Sequence, residues 1–179
     1  LQAVPVRREL SSYDFGEMTG LCHRGQQWRW QGLTFAVLWP ERPGHGRNND
    51  SCVVRISDGQ HSVLLSGDIE QRAEQRLVLL EGEGLASTPL VSPHHGSRAS
   101  SPVPFVVAVG AGYVVHSAGY INQWGFPRPE VVARYGQARQ WVTGQDGAIL
   151  IEPASGELNI RAERDFGPWY RRGGSWWMP

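Results

Sequence analysis

Lysine is absent from this chain of 179 residues: all 17 basic residues are arginine, and 17 acidic residues bring the formal charge to zero. A balanced total argues against a generally basic nucleic-acid binder, although it says nothing about where the charge sits. The missing lysine has a compositional explanation, a GC-rich genome that favours arginine codons, set against selection for arginine's fork of donors. Cysteine is scarce. Cys22 and Cys52 are the only two, below any disulfide framework and without the CxxC spacing of a zinc site. They are read here as small buried or half-buried side chains, with a single disulfide as the alternative in an oxidising compartment. No apolar run approaches the roughly 20 residues a membrane helix needs. The opening also lacks the basic-then-apolar layout of a signal peptide, and Leu1 in place of Met reads as an internal start, a piece of something longer. A G-x-S-x-G turn, a P-loop and a dinucleotide fingerprint are all missing, which removes the common serine-hydrolase and nucleotide-binding readings.

The chain does have 40% hydrophobic residues, 22 glycines, 12 prolines and 8 tryptophans. That composition and length suit one folded domain with a real core. Residues 4–10 alternate as a half-buried strand does. Residues 27–38 hold two strand-like runs broken at Gln31-Gly32, which fits a hairpin. A loop follows over 40–50, then strands over 51–56 and 61–66 joined by a turn at Asp58-Gly59. Next the period changes: Ile69, Ala73, Leu77 and Leu80 recur at helical spacing, ending at Gly82. Strands at 89–91, 113–116 and 140–142 then alternate with helices at 105–109 and 130–135, and strands at 148–152 and 157–162 close the pattern. The class is therefore mixed α/β, strands first and strands alternating with helices afterwards.

Two motifs carry chemistry, each where a strand gives way. In Leu64-Leu65-Ser66-Gly67-Asp68, a carboxylate follows a glycine that permits close approach; alone it reads equally as an acidic helix cap. In Pro93-His94-His95-Gly96-Ser97, adjacent histidines on an extended backbone would point to opposite sides, so one would serve a given site. If the two strands lie side by side, carboxylate and imidazole reach the same crevice. Such a donor set suits zinc or manganese.

These strings, with Asn48-Asn49-Asp50-Ser51-Cys52, Ser100-Ser101, Asn122-Gln123-Trp124-Gly125-Phe126-Pro127 and Cys22-His23-Arg24-Gly25, resemble the C-terminal metallo-β-lactamase-like domain of the ComEC family of competence proteins. The resemblance covers nearly the whole chain. It implies a β-sandwich of two mixed sheets flanked by helices, of which this chain supplies the C-terminal portion, residues 1–179 forming one partial domain. It also implies a metal-dependent phosphodiesterase acting on DNA during natural transformation. Asp68 and His94 would be metal ligands of a site holding two zinc or manganese ions, with His95 assisting. Ser97, Arg98 and Asn122 would line the phosphate-facing rim. The partners implied are DNA, as a single strand or an incoming duplex, and the transmembrane channel of the same protein. The domain itself would lie outside the cytoplasm, on a protein of the bacterial inner membrane.

The departures from the pattern set a rival reading beside this one. The family's H-x-H-x-D-H motif is not in the 179 residues and is expected upstream of Leu1. Leu38-Trp39 stand where relatives often have a histidine before the proline, and Phe126 and Arg128 replace two further histidines. A non-catalytic DNA-binding or channel-gating module derived from the hydrolase fold fits those changes, and a sheet edge left uncovered would invite self-association. His23, His45, His61 and His116 read as structural or solvent-exposed. Trp28 and Trp30 share one face, as core packing or as a base-stacking platform. Residues 164–179 mix arginine with aromatics, either to grip a phosphate backbone or as a packed, frayed end.

Overall fold

Antiparallel strands come first and strand–helix–strand units second, and the two patterns build two halves of one sheet. The computed structural model describes residues 9–13, 19–154 and 156–166. Its strands are β1 (Glu9–Ser11), β2 (Thr19–Leu21), β3 (Gln27–Trp30), β4 (Leu33–Trp39), β5 (Val53–Ser57), β6 (Ser62–Leu65), β7 (Pro89–Val91), β8 (Tyr113–His116), β9 (Arg139–Val142), β10 (Ile149–Ala154) and β11 (Glu157–Ala162). Its α-helices are α1 (Gln71–Glu81), α2 (Val103–Val109), α3 (Pro129–Arg134), and the single turns α4 (Thr143–Asp146) and α5 (Glu163–Phe166). Of the strand expected over 4–10, only its end lies among the described residues, in β1. The aromatic tail from 167 onward lies outside them.

Strands β3 to β9 form a seven-stranded sheet in sequence order, with β1–β2 and β10–β11 as separate two-stranded pairs. Antiparallel pairing runs from β3 to β6. Parallel pairing runs from β6 to β9. The β3–β4 turn needs two left-handed residues, and Gln31 and Gly32 have φ of 46° and 82°, the geometry of a two-residue hairpin. At the next turn Asp58 accepts hydrogen bonds from the N–H groups of Gln60 and His61 at 2.8 and 2.6 Å, which hold its carboxyl below the usual range.

Stepping one strand at a time through right-handed crossovers puts α1, α2 and α3 on the same face of the sheet. There Ala73 and Leu77 of α1, Phe105 and Val109 of α2, and Val131 of α3 pack on Leu64, Leu90 and Val114 in one buried cluster. Ile69, fully buried, belongs to it although it precedes the helix. On the opposite face the ribbon β10–β11 covers β8 and β9, where Val115, Trp141 and Ala162 meet Tyr113, Ile149 and Ile160. In place of two full sheets, the second layer among the described residues is this ribbon. The remainder of that face is apolar, with Trp28, Phe35, Val54 and Leu65 around a cavity of about 310 Å³. Strand β3 forms one edge of the sheet and β9 the other, and Trp30 on β3 is 61% exposed.

Cys22 and Cys52 form a disulfide, with their Cα atoms 6.1 Å apart. This corrects the reading of two unlinked thiols. Cys22 is fully buried, and pairing of β4 with β5 carries the segment after the long 40–50 loop back beneath the strand leading into β3. Separation in sequence gave no hint of that meeting.

Candidate functional site

Parallel neighbours end on the same side of a sheet, so the loops leaving β6 and β7 are adjacent by topology. They are then tied together: the His94 N–H donates to Gly67 O at 3.0 Å, and the Gln71 N–H to Ala99 O at 2.9 Å. The Ser66 hydroxyl donates to Val91 O at 2.6 Å. The result brings Asp68 and the histidine pair into one cleft. His95 Nε2 lies 3.2 Å from Asp68 Oδ1, and each of these side chains keeps 43% of its surface exposed. His94 Nδ1 lies 3.2 Å from Glu70 Oε1, though it is buried and out of line for a hydrogen bond. Asp68 is not a helix cap; Glu70 occupies the N-cap of α1 and makes no side-chain capping bond.

The histidine backbone differs from the extended form expected. His94 and His95 have φ of 47° and 57° within a tight 3-10 turn, Pro93–Gly96. This strained left-handed pair lets both imidazoles face the acidic loop instead of opposing sides. Gly96 makes the turn possible, because at φ 82° a Cβ there would come within 2.5 Å of Pro127 Cβ and 3.1 Å of His116 Nδ1. Behind the turn His116 is fully buried and bonded to Ser92 Oγ at 2.8 Å and Gln140 Oε1 at 2.9 Å. Burial lowers its pKa, against the Gln140 bond. It is a satisfied core histidine that supports the turn from below.

A third loop, residues 48–51, steadies the acidic side. Asn49 Oδ1 accepts the Glu70 N–H at 2.9 Å, Ser51 Oγ accepts the Asp68 N–H at 3.2 Å, and Asn48 Nδ2 donates to Glu70 Oε1 at 3.2 Å. Glu74, fully buried on α1, accepts the Ser101 N–H at 2.7 Å. It thereby holds the far end of the histidine loop, while Arg134 donates to Ser100 O at 2.8 Å. Burial pushes the Glu74 carboxyl up to about 8 despite the Ser101 bond and the Arg134 charge. Burial likewise raises Tyr135, whose hydroxyl meets Ser101 Oγ at 2.7 Å.

The expected rim residues fare differently. Ser97 is buried and its hydroxyl accepts the Ala99 N–H at 3.3 Å. Asn122 is engaged inside its own loop, donating to Gly119 O and Phe126 O at 3.0 and 2.7 Å and accepting from the Phe126 N–H at 2.8 Å. Arg98 is 72% exposed and pairs with Glu130 at 2.6 Å. Leu38 is buried in the core, and Trp39 Nε1 donates to Asn49 O at 2.7 Å. Phe126 sets its ring edge-on to His94, centroids 5.8 Å apart. Sequence reasoning missed Glu70, Asn48 and Asn49 as parts of the site, although Asn48 and Asn49 stood inside a motif string and Glu70 follows Asp68 by two residues.

Among the described residues, no three His, Cys, Asp or Glu side chains converge as a metal site. Carboxylate and imidazole are the right donors for zinc or manganese, yet they meet here as two pairs. A structural zinc takes four ligands and a catalytic one three, so these residues do not by themselves fit a metal ion.

No protein-family model matches the chain. It is 42% identical over 147 residues, 80% of its length, to the uncharacterised protein YcaI of Escherichia coli K12. To Recombination protein 2 of Haemophilus influenzae it is 34% identical over 155 residues, 84% of the chain. It is also 40% identical over 110 residues, 61% of the chain, to Competence protein ComA of Neisseria gonorrhoeae, 16% of whose length is matched. The chain is a homologous segment of the ComEC competence family. It spans about a fifth of the length of the first two of these relatives, 20% and 19%. Among solved structures, the metallo-β-lactamase fold protein YhfI of Bacillus subtilis aligns with TM-score 0.43 and 14% identity, covering 73% of this chain and 56% of that one. No helix among the described residues is long and apolar enough to cross a membrane.

Proposed function

We propose that this chain is the metallo-β-lactamase-like part of a DNA-uptake protein and supplies acid–base groups for phosphodiester cleavage. The observation that carries this is the meeting of Asp68 with His95, and Glu70 with His94, at the ends of two adjacent parallel strands. Asp68 holds the His95 imidazole in one orientation. His95 then takes a proton from attacking water or delivers one to the leaving oxygen of the phosphodiester. Arg98, at the exposed end of the histidine loop, offers a guanidinium to a phosphate oxygen. No part of this chemistry depends on a metal; zinc or manganese catalysis would need ligands from elsewhere in a longer protein. The Cys22–Cys52 disulfide supports an oxidising, extracytoplasmic setting, beside the membrane channel that the resemblance implies as partner.

The test is single-stranded DNA cleavage by a longer ComEC-type protein carrying this chain. The double variant Asp68→Ala, His95→Ala is expected to lose about 10²- to 10⁴-fold in rate, and an unchanged rate overturns the assignment. A second reading, DNA binding or gating without cleavage, is favoured by Leu38 and Phe126 standing where further histidines are expected. It predicts that the unsubstituted protein binds DNA and leaves it intact.

A further inference from the structure

Three rings lead outward from the cleft. His94 meets the edge of Phe126 at 5.8 Å, and Phe126 lies nearly parallel to Trp124, 20° between planes and 6.4 Å between centroids. Trp124 ends the row 59% exposed. The Arg128 guanidinium sits over the Phe126 ring at 5.8 Å, placing a cation beside the row. Nearby acids are already occupied: Glu130 by Arg98, Glu70 by His94 and Asp68 by His95.

The row is rigidly joined to the cleft. The Arg128 N–H donates to Gly96 O at 2.9 Å, inside the histidine turn, and Pro127 packs where a Gly96 side chain would go. Asn122 closes the loop on Phe126 from both sides of its peptide. At the loop's far end the Gly144 N–H donates to Ala118 O at 2.8 Å. A groove of about 700 Å³ runs along this loop past Tyr120, Phe126 and Gln145. Ile121 on its rim is 84% exposed and held at φ 48°, a strained exposed apolar residue of the kind that clusters at ligand sites.

We infer that Trp124, Phe126 and Arg128 form a base-stacking platform for single-stranded nucleic acid, next to the phosphodiester cleft. An exposed indole face takes a base of any identity, and a guanidinium beside it takes the phosphate of the same nucleotide. Duplex DNA is a poor occupant, because its bases are already stacked and unstacking them costs a few kcal/mol. A platform fixed through Gly96 delivers the neighbouring phosphate toward His95. The inference takes its direction from the proposed cleavage site, but binding is measured without cleavage, so each can fail alone.

The experiment is fluorescence-anisotropy titration of the 179-residue chain with a labelled short oligothymidylate at low salt. An abasic oligomer of equal length and a hairpin duplex serve as parallel probes. Binding to oligothymidylate is expected to be about tenfold tighter than to either probe, and Trp124→Ala to lose about tenfold, the scale of one base–aromatic stack. Trp124→Phe should retain most of the affinity, and Leu79→Ala, on the exposed side of α1, should leave it unchanged. Equal affinity for the abasic oligomer, no loss in Trp124→Ala, or no measurable oligothymidylate binding would each overturn the platform while leaving the Asp68–His95 assignment standing.

Discussion

The two halves of the seven-stranded sheet are built by different rules. From β3 to β6 each strand runs against the one before it, through tight turns at β3–β4 and β5–β6 and the long 40–50 loop between β4 and β5, so successive strand ends alternate between opposite edges. From β6 to β9 every strand points the same way and each connection is a helix. All the loops after those strands therefore open at one edge, and residues 68, 70, 94, 95 and 126, far apart in sequence, become neighbours. The chemistry gathers at that edge for this topological reason. The antiparallel half instead supplies support: its Asn48–Ser51 segment steadies Asp68 and Glu70, and a disulfide fastens it. The contrast shows one half held by a covalent link and the other by interlocked loops.

Removing the covalent link should have the largest effect. The Cys22→Ala, Cys52→Ala pair opens a loop spanning 30 residues, worth about 3–4 kcal/mol by loop-closure entropy. Urea unfolding should report that loss, with a matching loss in unsubstituted protein under reductant; a cost below about 1 kcal/mol would mean the antiparallel half does not rely on its staple. The interlocked loops are tested next by Gly96→Ala. A Cβ there meets Pro127 at 2.5 Å at a left-handed φ of 82°, so overpacking and backbone strain together should cost about 3 kcal/mol. Retention of full stability would show that the histidine turn and the Phe126 loop are not locked together.

The smallest effect is a pH dependence through Glu74. Its carboxyl is raised to about 8 in the folded chain from an ordinary 4.5, so the folded form keeps a proton that the unfolded chain releases. The stability this represents is complete below about pH 4.5 and is lost as pH rises through about 8. Glu74→Gln, neutral at every pH, should therefore gain about 2 kcal/mol over the unsubstituted chain between about pH 6 and pH 9. Parallel unfolding curves at those two pH values would check it, and a constant difference would remove Glu74 as the source.

Much of the fold was readable because its signals are local. The Gln31-Gly32 and Asp58-Gly59 turns, the helical spacing of Ala73 and Leu77, and the apolar strands at 89–91 and 113–116 each depend on neighbours within a few residues. The site was readable in part. Asp68 and His94-His95 stood out as strand-end motifs, and their meeting followed once two parallel strands were assumed. Glu70 did not stand out, since on a helix start it looks like any acidic N-terminal residue. Asn122 was expected to face phosphate, but its amide closes a loop whose shape no short-range pattern announces.

What the residues determined unaided is the order of elements, the mixed class and the two motifs, because propensity, period and turn chemistry act over short stretches of chain. Even the absence of lysine and the zero total charge spoke only to composition. Tertiary structure alone decided which side chains meet. It joined Cys22 to Cys52, bent His94 and His95 into left-handed backbone so that both face acids, and set Phe126 against His94. Each of these outcomes depends on strand order and loop crossing, which bring together residues separated by dozens of positions, and no periodicity along the chain encodes that distance.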